Sequence, residues 1–149
     1  MELATLAKDY GDFYAPAYAV RVGRADLMRD LLVAVSQVEV DLVLGAASRF
    51  SFAVTDCYSH KLRIFQTGRG VDLLGILTFG AEMEIYMGYG DAKSTPIAMK
   101  GMITEISTSF PESGSPELAI AGYDHGFAMT IGKNSRTWSK ARDSEAVHE

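Results

Sequence analysis

The sequence predicts a mainly β protein, built as an antiparallel β-barrel with one or two short helices. Apolar and polar residues alternate in several runs, as half-buried strands require, because successive side chains of a strand point to opposite faces. Segments rich in Gly, Pro and Ser separate these runs and predict turns. No internal repeat of about 20–50 residues is present, which argues against a solenoid or a propeller.

The clearest predicted element is a long β-hairpin over residues 96–124. Its two arms are separated by residues 110–116, which read Phe-Pro-Glu-Ser-Gly-Ser-Pro, a composition typical of a turn. On each arm, every second residue is apolar or glycine: Ile97, Met99, Gly101 and Ile103 on the first, and Leu118, Ile120 and Gly122 on the second.

The first half of the chain predicts three strands. Residues 17–22 form the first, and residues 24–32 form a helical turn or a polar loop. Residues 33–44 form a long second strand, and residues 50–55 form a third. The second and third strands are joined near Gly45 and predict a hairpin. The apolar face of these three strands comprises Tyr18, Val20 and Val22, then Val38, Val40, Leu42 and Leu44, then Phe50, Phe52 and Val54.

Residues 58–80 lack a clean period and predict a helix or an irregular crossover, with Gly68 and Gly70 in a loop. Residues 81–90 alternate again and predict a fourth strand. A short helix or turn follows Asp124, and a further helix could begin near Ser144. The predicted organisation is an N-terminal tail over 1–16, a β-barrel domain over 17–132 and a linker or C-terminal extension over 133–149.

Composition narrows the class of protein. The chain has 149 residues, which suits one domain, and a net charge of −5, which argues against sequence-specific nucleic-acid binding. Its single cysteine, Cys57, has no partner for an intrachain disulfide and is expected to be a small buried residue. The N-terminus lacks a secretory pattern, and no apolar run approaches the roughly 20 residues that span a bilayer. We therefore expect a cytosolic protein without membrane contact.

No constellation of residues predicts catalysis, a cofactor or a metal ion. The histidines, His60, His125 and His148, are far apart in sequence and cannot form a local metal-binding motif. The glycine pairs at 68 and 70 and at 88 and 90 do not complete a dinucleotide or phosphate fingerprint. We therefore predict that the protein is not an enzyme and has no cofactor.

Two polar pairs are candidate sites. Asp124 and His125 could form an acid–base pair, but neighbouring strand residues point to opposite faces, so we favour Asp124 as the cap of the following short helix. Glu82 and Glu84 share one strand face and are expected to be solvated rather than paired for catalysis.

Four segments share a pattern: the strand Lys-Gly-Met-Ile-Thr at 100–104, the turn Phe-Pro-Glu-Ser-Gly at 110–114, Gly-Tyr-Asp at 122–124, and Lys133, Arg136, Thr137 and Trp138. In this order they resemble the phage late control D family, the baseplate hub proteins of contractile tails. The resemblance implies a structural hub that connects the tail tube protein to the spike protein. It also implies assembly in the cytoplasm as a homotrimer and incorporation into a phage tail or tail-like particle. It assigns no subunit-interface residues.

The sequence is also compatible with two alternatives. One is a single-domain tail tube or adaptor protein of the same fold, which would more naturally form a hexamer. The other is a small β-barrel ligand-binding or enzymatic domain, with an internal pocket lined by Tyr86, Tyr123 or His125.

Overall fold

The structure, a computed structural model, describes residues 16–90 and 95–131. These residues form nine strands and one short 3₁₀ helix, His125–Thr130. The strands are β1 (Pro16–Val22), β2 (Ala25–Asp26), β3 (Ala34–Asp41), β4 (Arg49–Thr55), β5 (Tyr58–Ser59), β6 (Ile64–Phe65), β7 (Glu82–Tyr89), β8 (Ile97–Ser109) and β9 (Glu117–Asp124).

Seven strands form one antiparallel sheet in the order β2-β1-β7-β8-β9-β4-β3, and β5 and β6 form a separate small hairpin. The predicted hairpins β3–β4 and β8–β9 are both confirmed. The central pairings of β1 with β7 and of β4 with β9 join parts of the chain that are far apart in sequence.

The sheet curls into a half-barrel, which confirms the predicted mainly β, barrel-like fold. Its two outermost parts, β1 with β2 and β3, are linked by hydrogen bonds across the opening. The Tyr18 hydroxyl donates to the Val35 carbonyl oxygen at 2.8 Å. The Val33 backbone N–H donates to the Leu27 carbonyl oxygen at 2.9 Å. The predicted polar loop at 24–32 is therefore the segment that connects the two sides of the opening.

The core fills the concave side of the sheet. Phe50 lies over two glycines, Gly101 on β8 and Gly122 on β9. A Cβ at either position would overlap a neighbouring backbone carbonyl oxygen and approach the Phe50 ring. The glycines therefore let a large aromatic ring lie close to the backbone of two neighbouring strands. The other core members on the strands share complete or nearly complete burial: Val20, Val35, Phe52, Val54, Met83, Ile85, Met99, Ile103, Leu118 and Ile120.

Residues 56–80 form an irregular crossover that closes the concave side of the sheet. The sequence predicted either a helix or such a crossover over 58–80, and the segment contains no helix. Leu73 and Leu77 are fully buried, and Phe65 is 4% exposed. The apolar residues of this segment have no clean period because they reach the core from turns rather than from one regular element.

The predicted second strand is too long. The observed strand β3 ends at Asp41, and Leu42 and Leu44, expected on the apolar face, are 67% and 104% exposed. An irregularity between Ser36 and Glu39 shifts the register with β4, and Gln37 has a positive φ of 51°. Beyond Asp41 the chain turns back toward β4, so alternation in the sequence no longer corresponds to a buried face.

The predicted N-terminal tail lies outside the described residues except for Pro16, which begins β1. The predicted extension over 133–149 lies outside them entirely.

Candidate functional site

A groove of about 280 Å³ crosses the outer face of strands β3, β4, β9 and β8. The same strands bury their other face in the core, so the two faces divide the side chains strictly by alternation. Phe50, Phe52 and Val54 point inward from β4. Ser51 and Ala53, the residues between them, line the groove.

The floor of the groove consists of small side chains. Ser51 and Ala53 on β4 lie opposite Ala121 and Ala119 on β9. Although these residues are on the outer face, Ala53 and Ala121 are only 4% and 7% exposed. The small side chains are therefore sunk between longer neighbours, and the floor lies close to the sheet backbone.

The walls of the groove are polar and carry a net negative charge. Gln37 and Glu39 come from β3, while Glu105 and a run of hydroxyl residues at 107–109 come from β8. Arg49 Nη2 lies 3.6 Å from Glu105 Oε2, and the two side chains are 51% and 63% exposed. Glu39, Glu105 and Glu117 against Arg49 give the lining a formal charge of −2.

Two irregularities in strand pairing flank the groove. β3 shifts register against β4 between Ser36 and Glu39, and β8 shifts against β9 between Ile103 and Glu105. Bulges of this kind change the direction of the side chains that follow them. Glu39 and Glu105 each follow such a shift, and both lie on the rim of the groove. The sequence does not predict this surface, because the small residues of β4 and β9 form a floor only once the two strands are paired.

A second polar cluster lies on the outer face of β1, β7 and β8. Arg21 lies over the Tyr86 ring, with its Cζ 4.5 Å from the ring centroid. The Tyr86 hydroxyl donates to Glu84 Oε2 at 2.7 Å, and Lys100 Nζ is 2.6 Å from Glu84 Oε1. The Lys100 hydrogen bond, followed by that of Tyr86, lowers the pKa of the Glu84 carboxyl. The contact with Glu84 raises the pKa of the Tyr86 hydroxyl.

Asp124 joins the end of β9 to the loop before β4. Its Oδ2 accepts a hydrogen bond from the Ser48 backbone N–H at 3.0 Å, and its own N–H donates to the Ser48 carbonyl oxygen at 3.0 Å. The bond from the Ser48 backbone lowers the pKa of this carboxyl, and burial opposes the effect. Asp124 occupies the predicted cap position of the 3₁₀ helix, but its side chain makes no capping hydrogen bond. The predicted cap position is confirmed, but the expected cap hydrogen bond is not formed, because Oδ2 accepts from Ser48 while Oδ1 lies beside Gly126 without a hydrogen-bond partner among the described residues.

Tyr86, Tyr123 and His125, which the sequence suggested as the lining of an internal pocket, do not lie together in the structure. Tyr86 belongs to the cluster with Arg21, and Tyr123 stacks on Phe127 with ring centroids 4.8 Å apart. Neither they nor the exposed His125 lines the groove. On the concave side, where the ligand-binding alternative expected a pocket, large apolar side chains form the core.

Cys57 and Glu82 have the environments expected from the sequence. Cys57 is 6% exposed, and burial raises the pKa of its thiol. Glu82 is exposed on the outer face of β7.

An apolar recess of about 340 Å³ lies where the crossover meets β8. It is lined by Leu74, Leu77, Thr78, Phe79 and Ile106. In the described ranges, no group of three or more His, Cys, Asp and Glu side chains could hold a metal ion. None of the described helices is long and apolar enough to cross a bilayer.

A comparison with known protein families identifies the family to which this chain belongs. A family model described as the Alg8 N-terminal domain matches residues 59–149, which is more than half of the chain. The chain belongs to the Alg8 N-terminal domain family. Membership in the Alg8 N-terminal domain family contradicts the resemblance to the phage late control D family. The predicted role as a baseplate hub, with its tail tube or adaptor alternative, is therefore wrong.

One solved structure similar to this Alg8 N-terminal domain is the tail protein from Neisseria meningitidis MC58. The two share 20% sequence identity with a TM-score of 0.45, and the match covers 76% of this chain and 26% of that chain. The chain thus spans about a quarter of the solved protein, and a likeness at this level supports no functional argument. No curated protein matches the chain.

The motifs behind the contradicted resemblance are short strand-and-turn patterns. The Lys100–Thr104 segment lies within β8, the turn at 110–114 joins β8 to β9, and Gly122–Asp124 ends β9. Apolar alternation interrupted by Gly and Pro is what any antiparallel hairpin requires. These motifs therefore describe the hairpin correctly without identifying the family.

Proposed function

We propose that this chain is an accessory domain associated with a glycosyltransferase, and that it contributes binding rather than sugar transfer. The observation that carries the proposal is the match of residues 59–149 to the Alg8 N-terminal domain. The match includes strands β7, β8 and β9, which form the centre of the sheet. The family match therefore covers the strands at the centre of the sheet.

The geometry of the groove supports a binding role. Electrostatic catalysis works best where water is excluded, because charges interact more strongly in a low dielectric. Arg49 and Glu105 instead leave more than half of their side-chain surfaces in water. Exposed hydroxyls, an amide and carboxylates suit reversible polar contacts rather than chemistry.

Self-association, predicted from the sequence as a trimer or a hexamer, stays a prediction. The sheet has two outer strands, β2 and β3, at which a second copy could add hydrogen bonds. β2 contains only two residues, so β3 offers the longer edge.

The experiment co-expresses this chain with candidate glycosyltransferases from the same genome. We expect the two to co-elute in size-exclusion chromatography and expect the chain to alter the yield of the transferase reaction. The chain alone is also incubated with a panel of nucleotide sugars, acceptors and divalent cations, and we expect no release of nucleotide. Release by the chain alone, or neither co-elution nor an effect on transfer, would overturn the proposal.

A further inference from the structure

We infer that the outer-face groove is the docking site for a cationic segment of this same chain, residues 133–142. The segment reads Lys-Asn-Ser-Arg-Thr-Trp-Ser-Lys-Ala-Arg. It contains four cationic side chains, Lys133, Arg136, Lys140 and Arg142, and no Asp or Glu. The inference does not depend on the proposed function and concerns what covers the groove.

Charge is the first argument. The groove lining carries Glu39, Glu105 and Glu117 against the single cation Arg49. The segment carries only positive charge. Opposite charges at exposed positions attract each other weakly one by one, but several of them together orient and retain a tethered segment. An anionic ligand, by contrast, would meet the net negative charge of the lining.

Shape is the second argument. Ala53 and Ala121 are short and only 4% and 7% exposed, so an incoming chain would contact the longer side chains of the walls that stand above them. The walls add groups that both donate and accept hydrogen bonds, at Gln37, Ser107 and Ser109. A polypeptide, with its own alternating N–H and C=O groups, matches such walls.

Connectivity is the third argument. β9 leaves the sheet at Asp124, and its neighbour Tyr123 pairs with Arg49 at one end of the groove. The 3₁₀ helix then ends at Thr130, three residues before Lys133. The groove floor from Arg49 to Ala53 is about 13 Å long at about 3.3 Å per strand residue. A ten-residue segment can span up to about 35 Å, so it reaches along the whole floor.

Tethering strengthens the argument. A segment joined to its site by a short flexible linker has an effective concentration in the millimolar range, so weak contacts suffice to fill the site. The family match over 59–149 includes the cationic segment and the β8 and β9 side of the groove, whereas the β3 and β4 side lies before the matched residues.

The test uses Trp138, the only tryptophan of the chain, as a fluorescent probe within the segment. In the full chain we expect blue-shifted emission and weak quenching by acrylamide. Glu105→Lys should shift the emission to the red and raise the quenching constant several-fold. Salt at 1 M should act in the same direction, because it shortens the screening length to about 3 Å. Glu82→Lys makes the same charge change at an exposed residue outside the groove lining and should have no effect.

A charge exchange separates docking from misfolding. Arg136→Glu in the Glu105→Lys background should restore weak quenching, while circular dichroism and the urea midpoint confirm that each variant is folded. The inference would be overturned if acrylamide quenched Trp138 equally strongly in the wild type and in Glu105→Lys. Protection of Trp138 that disappears on dilution would also overturn it, because the occupant would then be the segment of a second copy.

Discussion

The Tyr18 hydroxyl donates a hydrogen bond to the Val35 carbonyl oxygen at 2.8 Å and so connects the two sides of the half-barrel opening. The two residues lie on β1 and β3, which are not neighbours in the sheet. Tyr18 is only part-buried and Val35 is 7% exposed, so the bond lies at the margin of the core. This single side-chain hydrogen bond, rather than a ladder of backbone hydrogen bonds, links β1 to β3 and helps to hold the sheet in its curled shape.

Tyr18→Phe should therefore lower the free energy of unfolding by about 1 kcal/mol, since it removes one neutral hydrogen bond and keeps the ring. Urea unfolding followed by circular dichroism measures the change. Tyr58→Phe is the matched control, because the Tyr58 hydroxyl has no hydrogen-bond partner among the described residues. Equal midpoints for Tyr18→Phe and the wild type would mean that this bond does not hold the opening.

Gly122→Ala should destabilise the protein strongly. The added Cβ would overlap the Met102 carbonyl oxygen and press on the Phe50 ring, so the strand or the ring must move. Overpacking of this kind costs roughly 1–3 kcal/mol or more. The thermal midpoint reports the loss. Gly75→Ala, where the nearest atom to the new Cβ is 3.5 Å away, should stay close to the wild type.

The lowered pKa of Asp124 predicts a contribution to stability that depends on pH. A carboxyl whose pKa is lower in the folded state stabilises the fold above its unfolded pKa, near 3.8, and loses that contribution as pH falls through the folded value. Asp124→Asn should therefore flatten the acid limb of a stability–pH curve from chemical unfolding. Asp41→Asn removes an exposed carboxylate of β3 and serves as the control. Superimposable acid limbs for Asp124→Asn and the wild type would contradict the prediction.

Cys57 should resist thiol reagents while the protein is folded. The side chain is 6% exposed, and burial raises the pKa of its thiol, so little reactive thiolate is available. Labelling with an aromatic disulfide at mildly alkaline pH should be slow in buffer and fast in denaturing urea. Rapid stoichiometric labelling in buffer alone would show that the crossover opens without global unfolding.

The exposed loop after β3 should tolerate polar substitution. Leu42 and Leu44 are 67% and 104% exposed, so Leu42→Ser with Leu44→Ser should change stability by no more than about 0.5 kcal/mol. If this loop contributes to self-association, light scattering should show a smaller mass for the double variant than for the wild type. A large loss of stability would instead place the loop in a buried contact.

Local features of the fold could be predicted from the sequence, and long-range ones could not. Alternation located β1, β7 and the hairpins, because period two is imposed by the strand itself. The pairings of β1 with β7 and of β4 with β9 depend on tertiary contacts that no local pattern contains. The end of β3 was misplaced because Leu42 and Leu44 continue the alternation after the strand has stopped.

The candidate site was harder to foresee than the fold. Ala53, Ala119 and Ala121 are unremarkable as sequence, and they become a floor only when β4 and β9 are paired. The acidic rim likewise depends on two register shifts, which place Glu39 and Glu105 at the groove. The hydrogen bond of Asp124 to the Ser48 loop was missed because its partner lies 76 residues away.

The pairing of β4 with β9 has a consequence for how the chain folds during synthesis. β4 carries the apolar triplet of Phe50, Phe52 and Val54, and its central neighbour β9 begins only at Glu117. While the ribosome makes the residues between them, the edge of β4 that will pair with β9 has no native partner strand. Topologies dominated by such distant pairings fold slowly and expose nascent chains to aggregation. We therefore expect the speed of translation and the supply of chaperones, rather than the stability of the finished sheet, to limit how much soluble protein a cell obtains.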